Sequence, residues 1–211
     1  MTASELAGSR LVKPGERMHA TIRELAIMCD AIWLAAENAS GAPRSKPEHR
    51  VFELDSPCAK VMVQLRVGGA FEAALWNTGD TADYWLTFPP LADHTFAPTI
   101  TVHDTRPLLE MVFSSHLVMF HERHKDWIRS NILAEPEVFR FLRAIRNAAA
   151  HDGKISITRA NDRPVVWRGL SYSHADNGRA IMGTDVSVGD ILMLLFDCSD
   201  DLDQRDAPVV L

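Results

Sequence analysis

Cysteine is scarce. Cys29, Cys58 and Cys198 are the only three in 211 residues, they lie far apart, and no Cys-x-x-Cys occurs. An odd, scattered set of thiols argues against a disulfide framework or a zinc ribbon, and fits reduced, buried side chains in a cytoplasmic protein. Long apolar runs are also missing. The longest, Ile191–Phe196, falls far short of the ~20 residues that cross a bilayer, and Met1–Gly15 has no apolar signal-peptide core. Neither Gly68-Gly69 nor Gly178 sits in a dinucleotide or nucleoside-triphosphate loop, and there is no Gly-x-Ser-x-Gly elbow. No internal repeat or low-complexity tract is visible.

The composition is that of a globular chain: 46% hydrophobic, 24% charged, net charge −6. Residues 1–211 are long enough for one domain with its own core. The acidic balance argues against wholesale wrapping of nucleic acid, yet the charge is uneven. Residues 121–168 hold ten Lys or Arg against six Asp or Glu, whereas 169–211 hold two against eight. The basic segment is where a phosphate-bearing partner is attracted. A solvated helix face has the same composition.

Apolar residues at three- and four-residue steps predict helices over about 16–38, 105–133 and 136–151. Ser56-Pro57 reads as an N-cap with Pro at the first helical position, predicting another helix to about Trp76, although Gly68-Gly69 lies inside it and Val61, Val63 and Val67 alternate like a strand. Residues 80–104, punctuated by Pro89-Pro90 and Pro98, read as an irregular connection or a short hairpin. Residues 154–158 and 164–168 predict a small β-hairpin, and Ser-Val-Gly-Asp190 opens an acidic helix over about 187–202. The expectation is a mainly α, up-and-down-like bundle of four to five helices with one late hairpin. Trp33, Trp76 and Trp127 fall on apolar helical positions.

The informative stretch is Arg140-Phe-Leu-Arg143-Ala-Ile-Arg146-Asn147-Ala-Ala-Ala-His151-Asp-Gly153. At ~100° per residue Arg140, Asn147 and His151 share a sector, Arg143 lies at its margin, and Arg146 is ~140° from His151. Ala148–Ala150 leave the helix bare enough for close approach by another helix or a ligand. An imidazole titrates near neutrality and can move a proton, while a guanidinium can fork onto phosphate oxygens. The same residues also suit an ordinary helix C-terminus, with His151 on the free carbonyls and Arg146 paired to Asp190 or Asp197.

Arg146-Asn147-Ala-Ala-Ala-His151, with Gly153 close behind, resembles the Arg-polar-x-x-x-His signature of the HEPN superfamily. Chance yields about 0.7 Arg-x-x-x-x-His pairs in such a chain, and about 0.02 once Asn must follow Arg. The resemblance implies a small helical-bundle protein, in many members a metal-independent endoribonuclease acting as a dimer, in toxin–antitoxin or defence settings. It implies Arg146, Asn147 and His151 as the catalytic set, with no cofactor, and a homodimer acting on RNA or a nucleotide. Arg140, Arg143, Arg123 and Arg129 are the expected nucleic-acid contacts. A catalytically silent bundle that binds a nucleotide or a cognate protein partner has the same signature, and the acidic last helix lying over the basic segment favours that alternative. No membrane association and no metal are expected. His121 and His124 are three apart, but Arg123 and Lys125 beside them repel a cation.

Overall fold

The computed structural model describes residues 8–41, 43–76, 82–91, 105–132 and 135–209. Among them are strands β1 (Ser9–Val12), β2 (Val51–Ser56), β3 (Val61–Arg66), β4 (Tyr84–Thr87), β5 (Val165–Trp167) and β6 (Leu170–Tyr172), and helices α1 (His19–Ser40), α2 (Ala70–Leu75), α3 (Arg106–Asn131), α4 (Glu137–Ala150) and α5 (Val188–Gln204). The fold is therefore a mixed α/β arrangement. β1-β4-β3-β2 form a four-stranded antiparallel sheet and β5-β6 a second, two-stranded one, which corrects the expected mainly α bundle.

The largest correction falls on residues 56–76. Ser56-Pro57 ends a strand and does not start a helix. β2 and β3 pair from Val51↔Arg66 to Ser56↔Val61, and Lys60 N–H donates to Pro57 O at 3.2 Å to close the turn. Val61, Met62, Val63 and Leu65 are all buried, as suits a central strand rich in β-branched residues. The diglycine then ends it. A Cβ on Gly68 would lie 1.7 Å from Pro47 O, so only glycine fits there, and Gly69 (φ +86°) opens the short α2.

β4 falls within the segment expected to be an irregular connection or a short hairpin. It pairs with β3 at Leu65↔Leu86 and with β1 from Ser9↔Thr87 to Val12↔Tyr84; residues 92–104 lie outside the described residues. The late hairpin also differs from expectation. β5 pairs with β6 across the two-residue turn Arg168-Gly169, and not with residues 154–158. That run holds one bridge, Lys154↔Ala180, and buries Ile155 and Ile157.

Helix α5 occupies the centre. Ile191–Phe196 are all buried, and the helix packs against α3, α4 and β2, as a run apolar on every side must. Ser187 and Asp190 form a capping box at its start. α3 also packs on α1 and α4. Trp127 packs on the core and Trp33 meets Phe52 edge-on, but Trp76 is 79% exposed, contrary to its expected place in the core. No helix among the described residues is long and apolar enough to cross a membrane.

Candidate active site at the α3–α4 face

Helix α4 owes its two-sidedness to its sequence. Phe139, Phe141, Leu142, Ala144, Ile145 and Ala148 are buried, leaving Arg140, Arg143, Arg146 and Asn147 on the outer side. Pro136 precedes it with an extended ψ of 151°, and Glu137 sits in its first turn, where a carboxylate suits the dipole. The helix ends at Ala150. His151 takes φ −136°, ψ 74°, and both its N–H and that of Gly153 donate to Ala148 O, at 3.0 and 2.9 Å. The imidazole is therefore off the helical path, and the ~140° offset from Arg146 on an ideal helix does not apply. His151 is exposed, and its ring has no partner among the described residues.

Arg146 is held from two sides. Its Nη2 donates to Glu122 Oε1 of α3 at 2.8 Å and its Nη1 to Asn147 Oδ1 at 3.2 Å; its Nε is buried with no hydrogen-bond partner among the described residues. The expected partners on α5 are engaged elsewhere. Asp197 takes Trp167 and Arg168, and Asp190 takes Ser56, Cys58 and Ser187. Glu122 also pairs with Lys125, and its Oε1 faces His121 Nδ1 at 3.3 Å. Hydrogen bonding from Lys125, then from His121, together with the Lys125 and Arg146 charges, holds the Glu122 carboxyl down at about 2. Burial lowers the pKa of His121, and the Arg146 and Lys125 charges push it the same way against Glu122.

Asn147 bonds to Arg146, and the wider set of arginines disperses. Arg140 donates to Arg163 O at 2.7 Å, so it does not join the row with Asn147 and His151. Arg143 pairs with Glu135 at 3.0 Å and Arg123 with Glu24 of α1 at 3.5 Å. Arg129 is exposed and has no partner among the described residues. The acidic helix does not blanket the basic segment. Asp200, Asp203 and Asp201 take Arg10, Arg17 and Arg205, and among the described residues Arg168 is the one Lys or Arg of that segment paired with α5.

The alanine run is not a bare surface either. Ala148 is fully buried and Ala149 packs on the core, leaving Ala150 outside. Exposed apolar side chains on α3, Leu108, Met111 and Met119, form one stripe; others, among them Leu75, Trp76 and Trp85, lie elsewhere on the surface. Of the two histidines weighed for a metal, His121 turns to Glu122, whereas His124 is buried edge-on against Phe120.

A groove of about 470 Å³ lies at the C-terminal end of α4. Met111, Ser115 and Val118 of α3 line one wall, and Ala149, Asp152 and Gly153 line the end of α4. Glu122 meets Arg146 farther along the same two helices, so α3 and α4 run antiparallel. Sequence reasoning missed Glu122 and His121 as partners of Arg146. The signal was the polar His121-Glu122/Lys125 break in the apolar spacing of α3. Compared with family models, with curated proteins and with solved structures, the chain matches none.

Proposed function

We propose that the α3–α4 face is a metal-independent endoribonuclease centre of the HEPN kind, with Arg146, Asn147 and His151 as its working residues. The observation that carries this reading is the anchoring of Arg146. Glu122 and Asn147 fix the guanidinium on the outer side of α4, five residues before an exposed histidine, and a fixed guanidinium is the pre-organised group that stabilises charge developing on a phosphorane. In the reaction the ribose O2′ loses its proton and attacks phosphorus, the P–O5′ bond breaks, and O5′ receives a proton. The products are a 2′,3′-cyclic phosphate and a 5′-hydroxyl. His151 carries a proton in this exchange, Arg146 meets the non-bridging oxygens, and Asn147 keeps Arg146 aligned. Arg129 is the supported outlying phosphate contact, since Arg140, Arg143 and Arg123 are engaged within the chain. The same reading includes a homodimer, with the α3 stripe of Leu108, Met111 and Met119 as the apolar surface that a second copy covers.

The test is cleavage of a single-stranded RNA by the full chain, with Arg146→Ala, His151→Ala and a substrate carrying 2′-deoxyribose at the cut site. Each variant loses about 10²–10⁴-fold, and the deoxy linkage is not cut. Cleavage of the deoxy linkage, or full activity in both variants, overturns the reading. No cleavage by the wild type, with nucleotide binding lost on changing Arg146 or Asn147, supports the silent alternative.

A further inference from the structure

Cleavage through O2′ requires two proton transfers, one from the nucleophile and one to the leaving oxygen, and the signature contributes one imidazole. His121 is a second imidazole on the same face. His121 Nδ1 and Arg146 Nη2 converge on one atom, Glu122 Oε1, at 3.3 and 2.8 Å. That oxygen belongs to a carboxylate that is ionised at neutral pH, so the Nδ1 facing it carries the ring proton and Nε2 is left as an acceptor. A carboxylate that sets a histidine's tautomer in this way prepares the ring to take a proton. Because Arg146 shares the oxygen, the imidazole and the guanidinium are held in register with each other. His151 follows the end of α4, five residues beyond Arg146 in the chain.

We infer that His121 is the general base of the proposed reaction, taking the 2′-hydroxyl proton on Nε2 while His151 delivers a proton to O5′. This inference rests on the ribonuclease reading of the site. The balance is complete: O2′–H gives its proton to His121, O2′–P forms, P–O5′ breaks, His151 gives its proton to O5′, and solvent resets both rings. The charges that face His121 are Glu122 and Lys125 on its own helix and Arg146 from α4. Partial burial, with the Arg146 and Lys125 charges, lowers the pKa of the ring against the pull of Glu122 and so favours the neutral form that a base needs.

The experiment uses the full chain and two RNA substrates, one ordinary and one with sulfur replacing the bridging 5′-oxygen at the cut site. A thiolate leaves without protonation, so this substrate bypasses the general acid and not the base. On ordinary RNA, His121→Ala and His151→Ala are each slowed about 10²–10⁴-fold. On the thio substrate His151→Ala recovers to near the wild-type rate, His121→Ala stays slow, and His121→Ala also loses the acidic limb of the kcat/KM pH profile. His121→Gln, which keeps a hydrogen bond to Glu122, separates loss of the base from loss of the fold by staying slow with an unchanged circular dichroism spectrum. Rescue of His121→Ala by sulfur, or wild-type rates and an unchanged acidic limb in His121→Gln, overturns the assignment and leaves the ribonuclease reading standing. A wild-type chain that cuts neither substrate overturns both.

Discussion

Arg50 Nη1 lies 2.8 Å from Asp30 Oδ1, and both side chains are out of solvent, at 1% and 0% exposure. Asp30 Oδ2 also accepts the Phe71 N–H of α2 at 3.0 Å, so one buried carboxylate ties α1 to Arg50 at the start of β2 and to α2. Burial already pushes the Asp30 carboxyl up to about 6, so removing Arg50 strands a desolvated carboxyl, while removing Asp30 leaves the buried guanidinium with Glu72 at 3.3 Å. Arg50→Met is expected to cost about 3–5 kcal/mol, whereas the double change Arg50→Met/Asp30→Leu recovers part of it. Urea unfolding of the two variants checks this; equal losses in both run against it.

His124 sets an acid limit on stability. Burial, with the Arg17 and Arg123 charges adding, pushes its pKa from 6.5 down to about 4. Between those values the unfolded chain binds the proton and the folded one does not, so stability falls as pH drops from 6.5 toward 4, by up to about 3 kcal/mol. His124→Leu should flatten that part of the curve. The same slope in variant and wild type would falsify this.

Asp190 joins α5 to the sheet. Oδ2 accepts the Ser187 N–H at 3.0 Å, and Oδ1 accepts the Ser56 hydroxyl at 2.7 Å and the Cys58 N–H at 3.0 Å. Asp190→Ala orphans three donors and should cost about 3 kcal/mol or more, while Ser187→Ala, which removes the other half of the capping box, should cost about 1. Thermal unfolding that ranks the two alike argues against the bridge.

At the site, Arg146→Lys keeps the charge and loses the fork. The ammonium cannot hold Glu122, Asn147 and a phosphate in one plane, so cleavage should drop about 100-fold with little change in stability. A lysine variant with the wild-type kcat/KM means that charge alone suffices.

Light scattering at micromolar concentration should return about twice the 23.5 kDa chain mass. Met111→Lys, at a position 59% exposed, should return the single-chain mass with the fold intact. A monomeric wild type removes the second copy from the reading.

Helix ends with strong local chemistry were legible. Ser187 with Asp190 marks the start of α5, Pro136 precedes α4, and Gly41 (φ +67°) stops α1. The sheet was not, because each cue pointed two ways. Ser-Pro opens a turn as readily as a helix, and β1 and β4 are four residues each, too short to show a period of their own. Arg146 and Asn147 were visible from their spacing. Glu122 was not, since it meets Arg146 across 24 residues of chain, and spacing within one helix carries no register against another.

Arg10 and Arg17 reach Asp200 and Asp203, closing spans of 190 and 186 residues. Arg17, fully buried, also donates to the carbonyls of Ala207 and Pro208 beyond α5. Closing spans of that size is entropically expensive and is repaid late in folding. These two arginines therefore act as kinetic clasps: Arg17→Ala should speed unfolding while barely changing the folding rate, making the lifetime of the native state a property of how the first strand and the last helix hold each other.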